Sequence, residues 1–517
     1  MANSNLFKSM RGTFVPAATE RNREGANAYA YPPKHRLAQY AVTGCLSNTF
    51  YTQGGEQLEE ILKLAPEVDA VFMAKTAIYA REKASMKDVP ALLAAILSTK
   101  DVALLRKVFP RVIDNGRMLR TFVQILRSGA VGRKSLGSAP KALVQNWLNS
   151  ASERKLIDAA LGTDPSLADV VRMVHPKPSD RMREAVYGWL TGRPYAFDAL
   201  PQALQALTAF KFDRSQPLPD VPFQMLTALG LGRDEWAQVA RQGTWHMVRM
   251  NLNNFARKGV FEIAGMGEIV AAKLRDREAI RRARVFPYQL MVAYRAASAE
   301  VPAIVKEALQ DALEIALENV GAMAGHVVVC PDVSGSMASP VTGMRRGAST
   351  AVRCIDVAAL VAAAVLRVNA GAKVLPFAEA VREIELNPRD SVMTNAEKLA
   401  ALGGGGTNCS APIAKIAKDH ERVDLVILVS DNQSWVDARK TGASETMRQW
   451  AEVRRRNQKA KLVCIDLQPH GTTQAMERAD VLNVGGFSDE VFTVVSQFAS
   501  GAIAEGHWTE IIEGVEL

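Results

Sequence analysis

Cys330-Pro-Asp-Val-Ser-Gly-Ser-Met337 is the stretch on which the reading of this chain turns. It follows the β-rich run His326-Val-Val-Val329, which places Asp332, Ser334 and Ser336 at the exit of an expected strand. One carboxylate and two hydroxyls packed this closely make a poor core and a good hard-cation site. Mg²⁺ wants oxygen ligands in octahedral geometry and usually keeps several waters.

Working outward, short β-rich runs recur at His326–Val329, Ala372–Phe377, Val423–Val429 and Leu462–Ile465. Helical segments alternate with them at Ile355–Asn369, Pro412–Lys418 and Glu445–Arg456. Strands alternating with helices predict a mainly parallel, doubly wound sheet. Ligands of such sheets bind outside the carboxyl ends of the strands. Asp332 falls on that edge, and Asp431, directly after Val423–Val429 and Ser430, falls on it too. The loop Gly403-Gly-Gly-Gly-Thr-Asn408 adds Thr407. No Lys-Ser/Thr pair follows these glycines, as a Walker A loop requires. Ser334 lacks the Gly-x-Ser-x-Gly frame and evident His and Asp partners of a nucleophile.

Residues 34–320 have a different texture. Apolar residues recur at three- and four-residue steps in Gln57–Leu64, Met118–Leu126 and Val305–Leu317, the pattern of helices that bury one stripe. Breakers at Asp114-Asn-Gly116, Thr163-Asp-Pro165, His175-Pro-Lys-Pro178 and Gly192-Arg-Pro194 separate them. Many short helices in series suggest an α-solenoid, and a compact all-α domain gives the same pattern. The expected division is a helical domain over 1–321 and an α/β domain over 322–517.

Charge divides in the same place. Residues 1–320 carry 43 Lys and Arg against 31 Asp and Glu, a net +12, while residues 321–517 carry 20 against 23, a net −3. A polyanion partner is expected for the first part only. Residues 101–141 hold nine basic residues and two acidic ones. Arg117, Arg120, Arg127, Arg133, Lys134 and Lys141 are the densest candidates for neutralising phosphates, with a solvated helix surface as the alternative. The five cysteines form no CxxC pair, which argues against zinc and a disulfide framework and for a reducing cytoplasm. The N-terminus has no apolar signal region, and the run Val357–Leu366 is too short for a bilayer and reads as a buried helix.

Asp-x-Ser-x-Ser, then Thr407, then Asp431 resembles the metal-ion-dependent adhesion site (MIDAS) of von Willebrand factor A domains. The resemblance implies that Ser334, Ser336 and Thr407 ligate Mg²⁺ directly and that Asp332 and Asp431 act largely through water. One coordination position is then left for an acidic group on a partner. A basic helical module followed by an A domain is similar to the Ro ribonucleoprotein family, including its bacterial members, whose first module is the TROVE domain. The segments Asn22–Tyr29, Arg36–Gly44, Asn48–Tyr51, Gly132–Gly137, Leu167–Lys177, Gly405–Pro412 and Ser430–Trp435 carry that likeness in order.

By this resemblance the fold is a ring of HEAT-like helical repeats closed by the A domain. The expected activity is RNA binding without catalysis: small noncoding Y RNAs and the ends of misfolded or decaying, single-stranded RNA. An exoribonuclease, or another protein with an acidic docking residue, is the expected partner of a monomer with no membrane attachment. His175, in the family's His segment, is placed to contact phosphate or stack on a base, or else to cap its helix before Pro176; Arg172 lies one turn earlier. The family's Lys and Arg for Y RNA correspond to the vicinity of Asp158 and Gly162 here, with Arg154 and Lys155 a turn earlier. The family's Asp after the metal-site Thr is Asn408. The rival readings are a metal-dependent protein adaptor that does not bind RNA, and a nuclease. Nucleases usually assemble several carboxylates around metals, and this site has two.

Overall fold

The computed structural model describes residues 15–43, 46, 48, 52–283, 285, 287–319, 323–341, 352–436, 442–468, 470–486, 489–501 and 507–517. Among them are eight strands: β1 (Glu20–Arg21), β2 (Asn27–Ala30), β3 (Val327–Pro331), β4 (Lys373–Val374), β5 (Leu425–Ser430), β6 (Lys461–Asp466), β7 (Thr472–Thr473) and β8 (Val481–Gly485). The rest is mainly helix, so the fold class is a series of α-helices plus an α/β sheet domain.

Five strands form a wholly parallel sheet in the order β4-β3-β5-β6-β8. β3 and β5 are buried along their whole length, which explains why both read as continuous apolar runs. The chain leaves β3 towards β4 on one side and returns to β5 on the other. The order therefore reverses between β3 and β5, the usual position of a ligand crevice in an open α/β sheet. Cys354–Val368 is the Ala-rich helix expected between β3 and β4, buried from Cys354 through Leu366. The core beneath the sheet holds Val328, Cys330, Phe377, Leu428 and Trp450. The Trp450 indole donates to Asp480 at 2.8 Å, so its polar edge is satisfied while its rings are buried.

The compact units do not divide at residue 321. One unit comprises Met1–Val68, Arg284–Ala296 and Gln310–Gly514; the other comprises Asp69–Ala283, Ala297–Leu309 and Val515–Leu517. The start of the chain joins the α/β unit for a physical reason. β1 and β2 form a hairpin, β2 pairs with β7, and Tyr29 is buried in the sheet core. These short strands, and β8, went unread in the sequence. Of the segments that carry the family likeness, Gly44 and 49–51 lie outside the described residues, as does Cys45.

In the other unit, helices pack on neighbours near in sequence. Ala70–Glu82 packs on Asp88–Lys100 and Val102–Val112, Asp88–Lys100 on Gly116–Ser128, Val102–Val112 on Ser138–Ser150, and Gly116–Ser128 on Leu167–Val174. Such local contacts are those of tandem helical repeats. Side-chain caps at Asp69, Asp101, Asn115, Ser152, Ser166 and Asp180 start six of this unit's helices by accepting otherwise orphaned amides. Among the described residues, no helix is long and apolar enough to cross a membrane.

Candidate functional site

Strand register brings the sheet-edge residues together. Pro331 stands opposite Val429, and the Asp332 amide donates to the Val429 carbonyl at 2.9 Å, so the two strand exits end level. Asp332, Ser334, Ser336, Thr407 and Asp431 are all buried. Thr407 Oγ1 donates to Ser334 Oγ at 2.9 Å, and Ser334 Oγ lies 3.3 Å from Ser336 Oγ. Asp332 accepts from the Ser334 amide at 2.8 Å and from Ser430 Oγ at 2.6 Å. Asp431 Oδ1 accepts from the Gln433 amide at 3.3 Å, whereas its buried Oδ2 has no hydrogen-bond partner.

The glycine loop is held from several sides. The Gly404 amide donates to the Val333 carbonyl at 2.9 Å and the Gly335 amide to the Gly405 carbonyl at 2.8 Å. Arg382 donates to the carbonyls of Leu402 and Gly404. At Gly406 an added Cβ would come within 2.8 Å of both Trp435 and Val436, so only glycine lets those side chains lie against the loop. The Trp435 amide in turn donates to the Thr407 carbonyl at 3.0 Å.

This donor set suits a small hard cation. Adjacent ligands on an octahedron of radius ~2.1 Å are about 3.0 Å apart, which is close to both hydroxyl spacings. Burial, then the charge of Asp431, pushes Asp332 up to about 7. Burial likewise raises Asp431. Two buried carboxylates that oppose each other's ionisation, one with an unbonded oxygen, would be relieved by a cation.

The basic candidates do not form one uniform face. Arg117, Arg120 and Arg127 share the polar arc of helix Gly116–Ser128, opposite Met118, Leu119, Phe122, Val123 and Leu126. Arg120 is half-buried and donates to the carbonyls of Ala159 and Leu161. Burial lowers its pKa. Arg133 folds back to donate to the carbonyls of Ser98 and Leu136. Both guanidiniums hold backbone, which corrects their assignment as surface cations. Arg117, Arg127 and Lys134 are exposed and Lys141 is partly so. Arg172 is exposed but engaged, 3.3 Å from Asp169 and 3.1 Å from the Thr191 carbonyl. His175 ends its helix at φ +47 with an exposed side chain, so the capping geometry is present and the ring faces solvent.

Residues 326–499 match the family described as the Ro60 vWA domain. The chain carries a Ro60-type von Willebrand factor A domain. The Ro likeness read from the sequence extends well beyond that domain. A Deinococcus radiodurans protein named RNA-binding protein RO60 is 27% identical over 93% of this chain and 96% of its own length. A Caenorhabditis elegans protein of the same name is 24% identical over 45% of this chain and 37% of its own. The crystal structure of the Deinococcus Ro protein superposes with a TM-score of 0.64 at 22% identity, covering 91% of this chain and all of that one.

Within the matched domain, Asn408, where the sequence likeness implies an Asp, bonds to its own and the neighbouring loop. Its Nδ2 donates to the Glu379 carbonyl at 3.1 Å, and its Oδ1 accepts from the Ser410 amide and hydroxyl at the start of helix Ser410–Lys418. Sequence reasoning missed Ser430, whose hydroxyl holds Asp332, and Gln433 and Ser434, which anchor the loop after β5. All three lie within the quoted motif Ser430–Trp435, which was the available signal.

Proposed function

We propose that this chain is an RNA-binding scaffold of the Ro type. The observation that carries the reading is the end-to-end alignment with a protein named RNA-binding protein RO60. The physical support is the exposed cations Arg117 and Arg127 on the polar arc of helix Gly116–Ser128, the exposed Lys134 and partly exposed Lys141 that follow it in sequence, and the exposed ring of His175. Phosphates would be neutralised there with release of counterions, so affinity falls as salt rises. The ligands are small noncoding RNAs and the single-stranded ends of misfolded RNA.

The Y RNA contacts of the family are altered. Asp158 pairs with Arg154 at 3.4 Å, and Arg154 also reaches Asp220 at 2.9 Å, which leaves Lys155 as the cation of that helix outside an ion pair among the described residues. Gly162 lies under the Arg120 guanidinium, where an added Cβ would come within 2.4 Å of it. A cationic side chain at Gly162 would therefore displace Arg120.

At the sheet edge, Ser334, Ser336 and Thr407 would hold Mg²⁺, with Asp332 and Asp431 acting through coordinated water. The ion would supply an electrophilic position for a carboxylate on a partner protein, an exoribonuclease being the partner this reading favours. We assign the chain no catalytic step and place it in the cytoplasm as a monomer.

The reading is tested by binding of labelled single-stranded RNA to the purified chain. Combined Arg117→Glu, Arg127→Glu and Lys134→Glu should lower affinity at least tenfold. It should also flatten the log–log salt dependence by about 2, at roughly 0.7 per phosphate contact. Unchanged affinity and slope would show that these cations do not hold the RNA.

A further inference from the structure

The N-terminal turn between β1 and β2 reaches the loop that carries Asp431. Asn22 is buried at 7% exposure. Its Oδ1 accepts from the amides of Glu24 at 3.1 Å and Ala26 at 2.9 Å, closing a turn in which Gly25 takes φ +77. Its Nδ2 donates to the Ser434 carbonyl at 2.6 Å, across 412 residues of sequence. The next amide, that of Arg23, donates to Gln433 Oε1 at 2.9 Å.

Both anchors act on residues that touch the metal-site loops. Gln433 donates its amide to Asp431 Oδ1. Ser434 Oγ accepts from the Cys409 amide at 3.0 Å, two residues after Thr407. Trp435 donates its amide to the Thr407 carbonyl. Asn432 sits at φ +60, so the chain bends sharply just after Asp431. The segment 432–435 is held by this turn and by Gln474 Nε2, which donates to the Asn432 carbonyl at 3.3 Å; loss of the turn's two bonds would loosen it, and Asp431 and Thr407 would move with it.

We infer that Asn22 is a positioning residue for the sheet-edge metal site, so that cation affinity depends on the N-terminal turn as well as on the A domain. The inference rests on the Mg²⁺ reading above. Linkage makes the dependence reciprocal: a cation that favours the held loop must also stabilise the turn.

The test uses the full chain and Mn²⁺ as the probe. Calorimetry on Asn22→Ala should show affinity weakened about 5-fold, which corresponds to about 1 kcal/mol. Ser334→Ala, a change to the ligand set itself, should abolish binding. In the wild-type chain, Mn²⁺ should slow hydrogen exchange at the Glu24 and Ala26 amides. That readout needs no variant to fold, and a purely structural role for the turn would not produce it. Wild-type affinity in Asn22→Ala, or turn amides whose exchange ignores Mn²⁺, would overturn the inference while leaving the metal site standing. A wild-type chain that binds no Mn²⁺ would overturn the metal reading, and this one with it.

Discussion

Asp431 shows what a single buried carboxylate demands of its surroundings. One oxygen takes the Gln433 amide and the other has no donor, in a place where an uncompensated charge is costly. Thr407→Ala should therefore weaken Mn²⁺ binding at least tenfold, because it deletes one of three clustered hydroxyls and leaves that carboxylate no better served. Calorimetry at pH 7.5 measures it, and an unchanged affinity would show that Thr407 is no ligand. His35 gives a pH prediction at the same scale. Burial lowers its pKa to about 3 from 6.5, and its ring stacks on Tyr31 with centroids 4.3 Å apart. Neutral in the fold and protonated in the unfolded chain, it contributes stability in full above pH 6.5 and loses it as pH falls towards 3. His35→Phe removes that loss. The gap in unfolding free energy between the variant and wild type should move by about 2 kcal/mol in favour of the variant from pH 7 to pH 5. Urea midpoints that shift in parallel would contradict this. The ligand residues were legible because Asp332, Ser334 and Ser336 are nearly contiguous and follow a strand. Asn22 was not, because its partner Ser434 is distant in sequence and an Asn in a polar segment carries no sign of what it bonds.

Among elements, the long ones announced themselves and most of the short ones did not. Helices Gly116–Ser128 and Cys354–Val368 and strands β3 and β5 each hold an unbroken pattern of apolar residues. The two-residue strands β1 and β7 owe their existence to partners, which no local pattern encodes, and β8 is interrupted by Asn483; β4, equally short, was legible within the β-rich run Ala372–Phe377. Helix contacts make one sharp prediction. An added Cβ at Gly116 would lie 2.2 Å from Ala159 Cβ and 2.4 Å from Ala159 Cα. Gly116→Ala should therefore destabilise the helical unit by about 1–3 kcal/mol by overpacking, despite alanine's better helix propensity. A rise in its thermal midpoint would show that the helices part freely. Arg120 belongs to the same contact. Its guanidinium ties helix Gly116–Ser128 to the carbonyls of Ala159 and Leu161, so its substitution should appear first as lost stability.

For the whole molecule, the change of texture near residue 322 was legible, yet the compact units follow contacts and not texture. Residues up to Val68 belong with the sheet. Net charge is a poor guide to which cations are available: Arg120 and Arg133 hold backbone carbonyls, whereas Arg117 and Arg127, alike in sequence, are exposed. At this scale the proposed function is RNA binding by the helical module through phosphates. Its most direct measurement is the affinity of the full chain for a labelled single-stranded RNA between about 50 and 200 mM salt. Measurable binding is expected, its logarithm falling linearly with the logarithm of salt, with a slope reduced by about 2 in the Arg117→Glu, Arg127→Glu, Lys134→Glu chain. Absence of binding at the lowest salt, or binding indifferent to salt, would contradict it.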